Sequence, residues 1–245
     1  MSRLRRIAAW CCPRTCSTAL LRSFVERADV EGVDEPLYAY YLAWSGKQHP
    51  MREEVLASQS PDFGEVVEKV VLGPCAAPVH YQKHMPHHLR GDEDLGFVSG
   101  LRNFFLVREP REMLPSLADR IGTVEARDTG FPQMLRLFRQ LREAGEPVAV
   151  VDSRDVLDRP EPTLRALCGH LGIAFDPAML SWLPGRHAAY GVWAAEWYRS
   201  LETSTGFRPH VPKDAPLTPE LQRIRESVQP AFDELHAARL RPADG

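Results

Sequence analysis

No stretch of this chain approaches the roughly 20 consecutive apolar residues that a membrane-crossing helix needs. The basic start at Arg3, Arg5 and Arg6 leads into only Ile7 to Cys12 before Pro13-Arg14, too short a run for a secretory leader. Neither sign of charge is in excess. Thirty Lys and Arg stand against 33 Asp and Glu, a net charge of -3 over 245 residues, so nothing draws the chain as a whole to nucleic acid or to an anionic membrane. Any anion bound here must be held by local groups. Cysteine is sparse and odd in number: of five, Cys11, Cys12 and Cys16 crowd together while Cys75 and Cys168 stand far off. That is no disulfide framework, and a reducing cytoplasm is the expected location. Cys11 and Cys16 have no second pair at metal spacing and no His-x-x-x-His partner, so no metal is expected. Repeats and low-complexity tracts are also missing, which argues for one domain over 1–245, with 177–245 as a lid and helical extension.

What is present is the composition of a folded protein, 44% hydrophobic and 26% charged. The pattern alternates short apolar runs with helical periods. Arg5 to Trp10 reads as a strand, Thr18 to Arg27 as a helix and Glu31 to Asp34 as a second strand. Leu37 to Trp44 reads as an aromatic helix with Pro36 at its first position. Asp62 to Leu72 has a helical period, Val79 to Lys83 reads as a strand, Leu95 to Gly100 as a helix, and Asn103 to Val107 as a buried strand. Helices follow at Pro110 to Asp119 and Gly130 to Ala144, then a strand at Val148 to Val151, a helix at Glu161 to Leu171 closed by Gly172, and a terminal helix at Thr218 to Arg239. Strands separated by helices imply an α/β fold, a mostly parallel central sheet with helices on both faces. Ligands in such folds bind at the carboxyl ends of strands. Trp182, Trp193, Trp197 and Tyr198 supply lid material in the stretch after Pro177.

The strongest local signal is Cys11-Cys12-Pro13-Arg14-Thr15-Cys16-Ser17-Thr18, between the first strand and the first helix. A loop there aims backbone N–H groups and a helix dipole at an anion, and Arg14, Thr15, Ser17 and Thr18 add charge and hydroxyls. It is not a Walker A loop, which needs two glycines and a lysine. An ordinary turn with a Ser or Thr cap is the simpler alternative. A second signal lies at the end of the strand Asn103 to Val107, where Arg108-Glu109-Pro110 opens a helix carrying Ser116.

Pro-Arg-Thr-Cys-Ser-Thr after the first strand, followed by Arg108-x-Pro with Ser116, resembles the two nucleotide motifs of sulfotransferases that use 3′-phosphoadenosine 5′-phosphosulfate, in their bacterial, P-loop-NTPase-like form. The segment Asp152 to Ile173 is similar to the strand and helix that follow in that family. The resemblance implies that Pro13, Arg14, Thr15, Cys16, Ser17 and Thr18 hold the phosphosulfate and that Arg108 and Ser116 hold the 3′-phosphate. Arg208, in Ser204-Thr205-Gly206-Phe207-Arg208, stands where the family has a late basic loop. Cys16 departs from the glycine of many relatives. Its Cβ either alters the loop or shows that the position never needed positive φ.

The same resemblance implies sulfuryl transfer to a hydroxyl or amine of a small-molecule acceptor, with no metal required. The base is Glu35, in Asp34-Glu35-Pro36, or His84, in Lys83-His84-Met85-Pro86, where Gln82 stands at the family's lysine position. Arg14 and Lys83 would stabilise developing charge. Glu35 alternatively serves as a helix-start carboxylate. His87 and His88 read as surface or substrate-rim residues, because adjacent histidines do not readily face one ion. Tyr38, Tyr40, Tyr41 and Trp44 read as core before acceptor wall. A kinase with a degenerate loop and a non-catalytic nucleotide-binding module are the competing readings. A homodimer is compatible with the sequence, and the acceptor is left open.

Overall fold

A computed structural model describes residues 4–212 and 216–242. Arg3 and the remaining parts of the expected 1–245 domain, including 213–215 and 243–245 of its extension, lie outside the described residues. β1 (Arg5–Cys11) is the middle strand of a five-stranded sheet of order β2-β3-β1-β4-β5, where β2 is Val30–Asp34, β3 Val79–His84, β4 Arg102–Val107 and β5 Ala149–Asp152. Every pairing in it is parallel, so each strand must be followed by a crossover.

The first crossover is α1 (Ser17–Val25). Between β2 and β3 lie α2 (Tyr38–Ser45), α3 (Arg52–Ser58) and α4 (Phe63–Val66), the last running into a π-turn at Val67–Val71. α5 (Pro110–Ile121) and α6 (Phe131–Glu143) link β4 to β5. α7 (Ser153–Asp158), α8 (Pro160–Leu171), α9 (Ala194–Trp197), α10 (Arg199–Glu202) and α11 (Pro219–Ala237) complete the chain.

Both faces of the sheet are covered, which is why β1 reads as an unbroken apolar run from Ile7 to Cys11. On one face Ile7, Ala9 and Cys11 pack with Leu20 and Phe24 of α1 and Leu164 of α8. On the other, Ala8 and Trp10 pack with Leu114 of α5, Phe138 of α6 and Phe232 of α11. Each such large side chain, fully buried, contributes about 1.5–3 kcal/mol.

Several local readings shift. The helical period at Asp62 to Leu72 is real, but only its first turn is α-helical, started by Asp62, which accepts from the Glu65 N–H. The Leu95 to Gly100 helix is a 3-10 turn at Gly96–Gly100. α2 begins at Tyr38, so Pro36 is not its first residue. Glu35 stands at φ 40 and bends the chain there.

The connections define the crevice. From β1 the chain crosses through α1 toward β2 at one edge, and from β4 it crosses through α5 and α6 toward β5 at the other. The carboxyl ends of β1 and β4, where these paths diverge, are the topological switch point at which such sheets bind ligands.

Candidate active site

A cavity of about 380 Å³ opens at this switch point. The loop Cys12–Cys16 and the start of α1 form one side of it. Cys12 N–H donates to Leu106 O of β4 at 3.1 Å, fixing the loop to the sheet. Thr15 Oγ1 donates back to Cys12 O at 2.9 Å, bracing the turn.

The residue of left-handed conformation is Arg14, at φ 57, whereas Cys16 sits at φ -84. Of the two outcomes posed for Cys16, the position never needed a glycine, and its Cβ costs nothing there. Burial pushes the Cys16 thiol up to about 12, so it is a protonated wall residue and no nucleophile. No side chain caps α1 and its first turn holds no acid, unlike α4 and α11, which Asp62 and Thr218 cap. An uncapped N-terminus at a cavity leaves N–H donors and a positive dipole end for an anion.

Two arginines meet at this mouth. Arg14 Nε donates to Ser116 Oγ at 2.9 Å, and Arg108 Nη1 donates to Arg14 O at 3.0 Å, so the two motifs read from sequence meet through direct hydrogen bonds. Arg108 is also held by Glu112 Oε2, at 3.1 and 3.2 Å. Burial, together with the nearby charges of Arg120 and Arg108, lowers the Arg14 pKa. Guanidinium groups that disfavour one another's charge are relieved by a bound anion. Arg208 lines the same cavity on an exposed stretch.

The floor is Lys83, 1% exposed and surrounded by oxygens. Its Nζ has four oxygen acceptors around its three protons: Asp34 Oδ1, Glu35 Oε1 and Tyr198 OH, each at 2.8 Å, and Thr18 Oγ1 at 3.2 Å. Burial alone would push this ammonium down. The adjoining Asp34 and Glu35 outweigh that and hold its pKa well above the usual lysine value. Tyr198 OH in turn donates to Asp34 Oδ2 at 2.7 Å and accepts from Trp193 Nε1 at 3.1 Å, so residues from the stretch after 177 pack directly on the site.

Glu35 is strained into place by its φ of 40 and tied by its backbone. Its N–H donates to Lys83 O at 2.9 Å, and Gln59 Nε2 donates to Glu35 O at 3.1 Å. Positive φ at a residue with a side chain is uncommon and persists where surrounding structure imposes it. Two of the three described cases, Arg14 and Glu35, belong to this cavity.

His84 is not brought to the cavity. β3 alternates faces, so Tyr81 and Lys83 point to one side while His80, Gln82 and His84 point to the other. The His84 ring lies buried against Trp10, with centroids 4.5 Å apart, and Nε2 pairs with Gln82 Oε1 at 3.1 Å. Burial lowers its pKa to about 3. His84 is a neutral, enclosed imidazole on the face of the sheet opposite Lys83. The surface reading of His87 and His88 is also corrected: both are buried and line the cavity. Tyr38 and Tyr41 belong at once to the core and to this wall, while Tyr40 packs away from it, its ring tilted at 51° to that of Phe63.

Asp34 and Gln59 were missed in sequence, although Asp34 adjoins Glu35. His49 carried no signal there. Pro13, Thr15, Ser17 and Thr18 all line the cavity.

The chain is 36% identical over 212 residues to branched-chain-amino-acid aminotransferase-like protein 1 of Arabidopsis thaliana, a match covering 86% of this chain and 38% of that protein. It thus spans well under half the length of that relative. In fold it resembles the sulfotransferase domain from the curacin biosynthetic pathway, with TM-score 0.53, 15% identity, 93% of this chain and 99% of that one covered. It also resembles a mouse sulfotransferase complexed with PAP, with TM-score 0.52, 12% identity, and 95% and 85% covered. At these identities the two structures establish the shared fold alone. The sulfotransferase domain family itself matches residues 5–237, nearly the whole chain, and this protein belongs to that family.

Proposed function

We propose that this chain transfers a sulfuryl group from 3′-phosphoadenosine 5′-phosphosulfate to a small-molecule acceptor, with Glu35 as the base. The observation that carries the reading is that the cationic mouth and the Lys83-Glu35 pair open into one cavity. The mouse relative named above was complexed with PAP, which suits the same nucleotide here. The uncapped start of α1, Arg14, Ser17 and Thr18 would bind the phosphosulfate, while Arg108, Ser116 and Arg208 would bind the 3′-phosphate.

The donor supplies an electrophilic sulfur and a phosphate leaving group. The acceptor oxygen–sulfur bond forms as the bond from sulfur to the bridging phosphate oxygen breaks, and the nucleotide bisphosphate leaves. The acceptor proton passes to Glu35 Oε2, the oxygen not held by Lys83. Lys83, kept charged by its carboxylates and bonded to Thr18 of the phosphosulfate loop, stabilises the negative charge gathering toward the leaving oxygen. Positioning and charge stabilisation are what such group transfers require of a protein.

Calorimetric titration with 3′-phosphoadenosine 5′-phosphate, with and without magnesium and beside ATP, tests the donor assignment. Magnesium-independent binding that needs the 3′-phosphate and collapses in Arg108→Ala is expected. Tighter, magnesium-dependent binding of ATP would overturn it in favour of a kinase. Binding without turnover on any acceptor would favour a non-catalytic module.

A further inference from the structure

Beyond Glu35 the cavity changes character. β3 is followed by a 3-10 turn, Pro86–His88, which lies against α2. The His88 ring lies against both Tyr38, 5.1 Å away at 8°, and Tyr41, 4.8 Å away at 19°, which are themselves 6.5 Å apart. His87 meets Tyr41 edge-on at 5.3 Å, and His49 Nδ1 is paired with Tyr38 OH at 2.9 Å. Trp197 closes this side, 6.0 Å from the His49 ring.

Every one of these rings lines the cavity, yet His49 Nε2, His87 Nδ1, both ring nitrogens of His88 and Trp197 Nε1 are buried without a hydrogen-bond partner. Native proteins satisfy nearly all buried polar atoms, so five orphans on one wall point to a polar occupant. The charge of that occupant follows from what is already paired. Asp128 is taken by Lys47 at 2.7 Å, and Glu35 Oε1 by Lys83 at 2.8 Å. Burial lowers the pKa of His49, His87 and His88, which leaves the imidazoles neutral. Apart from Glu35 Oε2, which Lys83 does not hold, the wall therefore offers no charge to a cation or an anion. A neutral imidazole offers one N–H and one lone pair, which matches groups that both give and accept, as hydroxyls do.

Glu35 Oε2 and His88 Nε2 are 3.7 Å apart. An oxygen about 2.8 Å from each, an ordinary hydrogen-bond length, closes a triangle on that edge. A hydroxyl placed there donates to Oε2 and accepts from Nε2–H. We propose that the acceptor is an uncharged molecule with several neighbouring hydroxyls, a polyol or sugar ring, whose reacting hydroxyl seats between Glu35 and His88 while its neighbours bond His49, His87 and Trp197. This rests on the sulfotransferase reading, and it adds His88 as a catalytic residue in contact with the reacting oxygen.

The test uses the full chain with radiolabelled 3′-phosphoadenosine 5′-phosphosulfate and, as acceptors, myo-inositol and methyl glucoside beside 4-nitrophenol, cyclohexanol and choline. Sulfation of the polyols in preference to the other three is expected. His87→Phe should raise the polyol KM about tenfold, the worth of one hydrogen bond, with kcat and nucleotide affinity retained. His88→Leu should lower kcat itself. Equal or better turnover of the phenol, the monohydric alcohol or the cation overturns the proposal, as does an unchanged KM in His87→Phe. Tryptophan fluorescence titrated with myo-inositol in the absence of nucleotide reads the wall without turnover. A saturable change that His87→Phe weakens supports the proposal, and no change in the wild-type chain overturns it. Should 3′-phosphoadenosine 5′-phosphate fail to bind, the donor assignment falls, and the fluorescence titration still decides the acceptor. If His88→Leu does not fold, His49→Phe joins His87→Phe as the second variant.

Discussion

The two ends of the cavity are built from different materials. The mouth at β1 and β4 is backbone and arginine: an uncapped helix start, a left-handed Arg14, and Arg108 hydrogen-bonded to Arg14 O. The far wall is aromatic and imidazole, with its carboxylates already paired and its histidines neutral. One end accumulates positive charge and the other removes it, which is the division expected where a charged donor meets an uncharged acceptor. Lys83 and Glu35 form the seam. The same contrast recurs within β3, where Lys83 faces the seam and His84, one residue on, is sealed against Trp10 on the opposite face.

Changes at the seam should have the largest effect. Glu35→Gln keeps the shape and removes the base, so kcat should fall by about 10²- to 10⁴-fold while calorimetry finds nucleotide affinity little changed. Equal loss of both would make Glu35 a structural carboxylate. Lys83→Met leaves Asp34 buried without its cation, and breaking such a pair costs about 3–5 kcal/mol. A urea titration should detect that loss together with lost turnover, and unaltered stability would mean that Asp34 is relieved by Tyr198 alone.

Arg108→Ala probes the charged end by itself. Losing charge-assisted hydrogen bonds of about 1.5–3 kcal/mol should weaken 3′-phosphoadenosine 5′-phosphate binding by about 10- to 100-fold and leave the polyol-induced fluorescence change intact. Coupled loss of both would erase the division between the two ends.

The smallest effect on activity is expected from His84→Gln, on the far face of β3, where kcat/KM should stay within about threefold. Stability should respond instead. His84 has a pKa of about 3 in the folded chain against about 6.5 unfolded. The unfolded chain therefore takes up the proton first, and stability falls as pH drops from about 6.5 toward 3, by about 1.4 kcal/mol per pH unit for this group. Urea midpoints measured across that range should fall less steeply in His84→Gln. A large loss of activity in this variant would return His84 to the chemistry.

Much of the cationic mouth was legible in the sequence because it is local. A strand, a loop rich in hydroxyls and a helix are contiguous from Arg5 to Val25, and Arg108 and Ser116 lie on one strand-helix unit. The imidazole wall was not, because His49, His88, Tyr38 and Trp197 come from separate elements that meet only through packing. Glu35 was legible as a residue, but its strained backbone and its hold on Lys83 were not.

The sequence by itself determined the α/β alternation and placed the hydroxyl-rich loop, Arg108 and Ser116 on strand-helix units, since hydrophobic period and motif spacing are properties of consecutive residues. Only the tertiary structure decided which face of β3 meets the cavity, that His87 and His88 are buried, and that Tyr198 completes the Lys83 cluster. A period of two states that neighbouring side chains point opposite ways. It does not state which way the ligand lies, because that depends on where the crossovers of the whole sheet diverge.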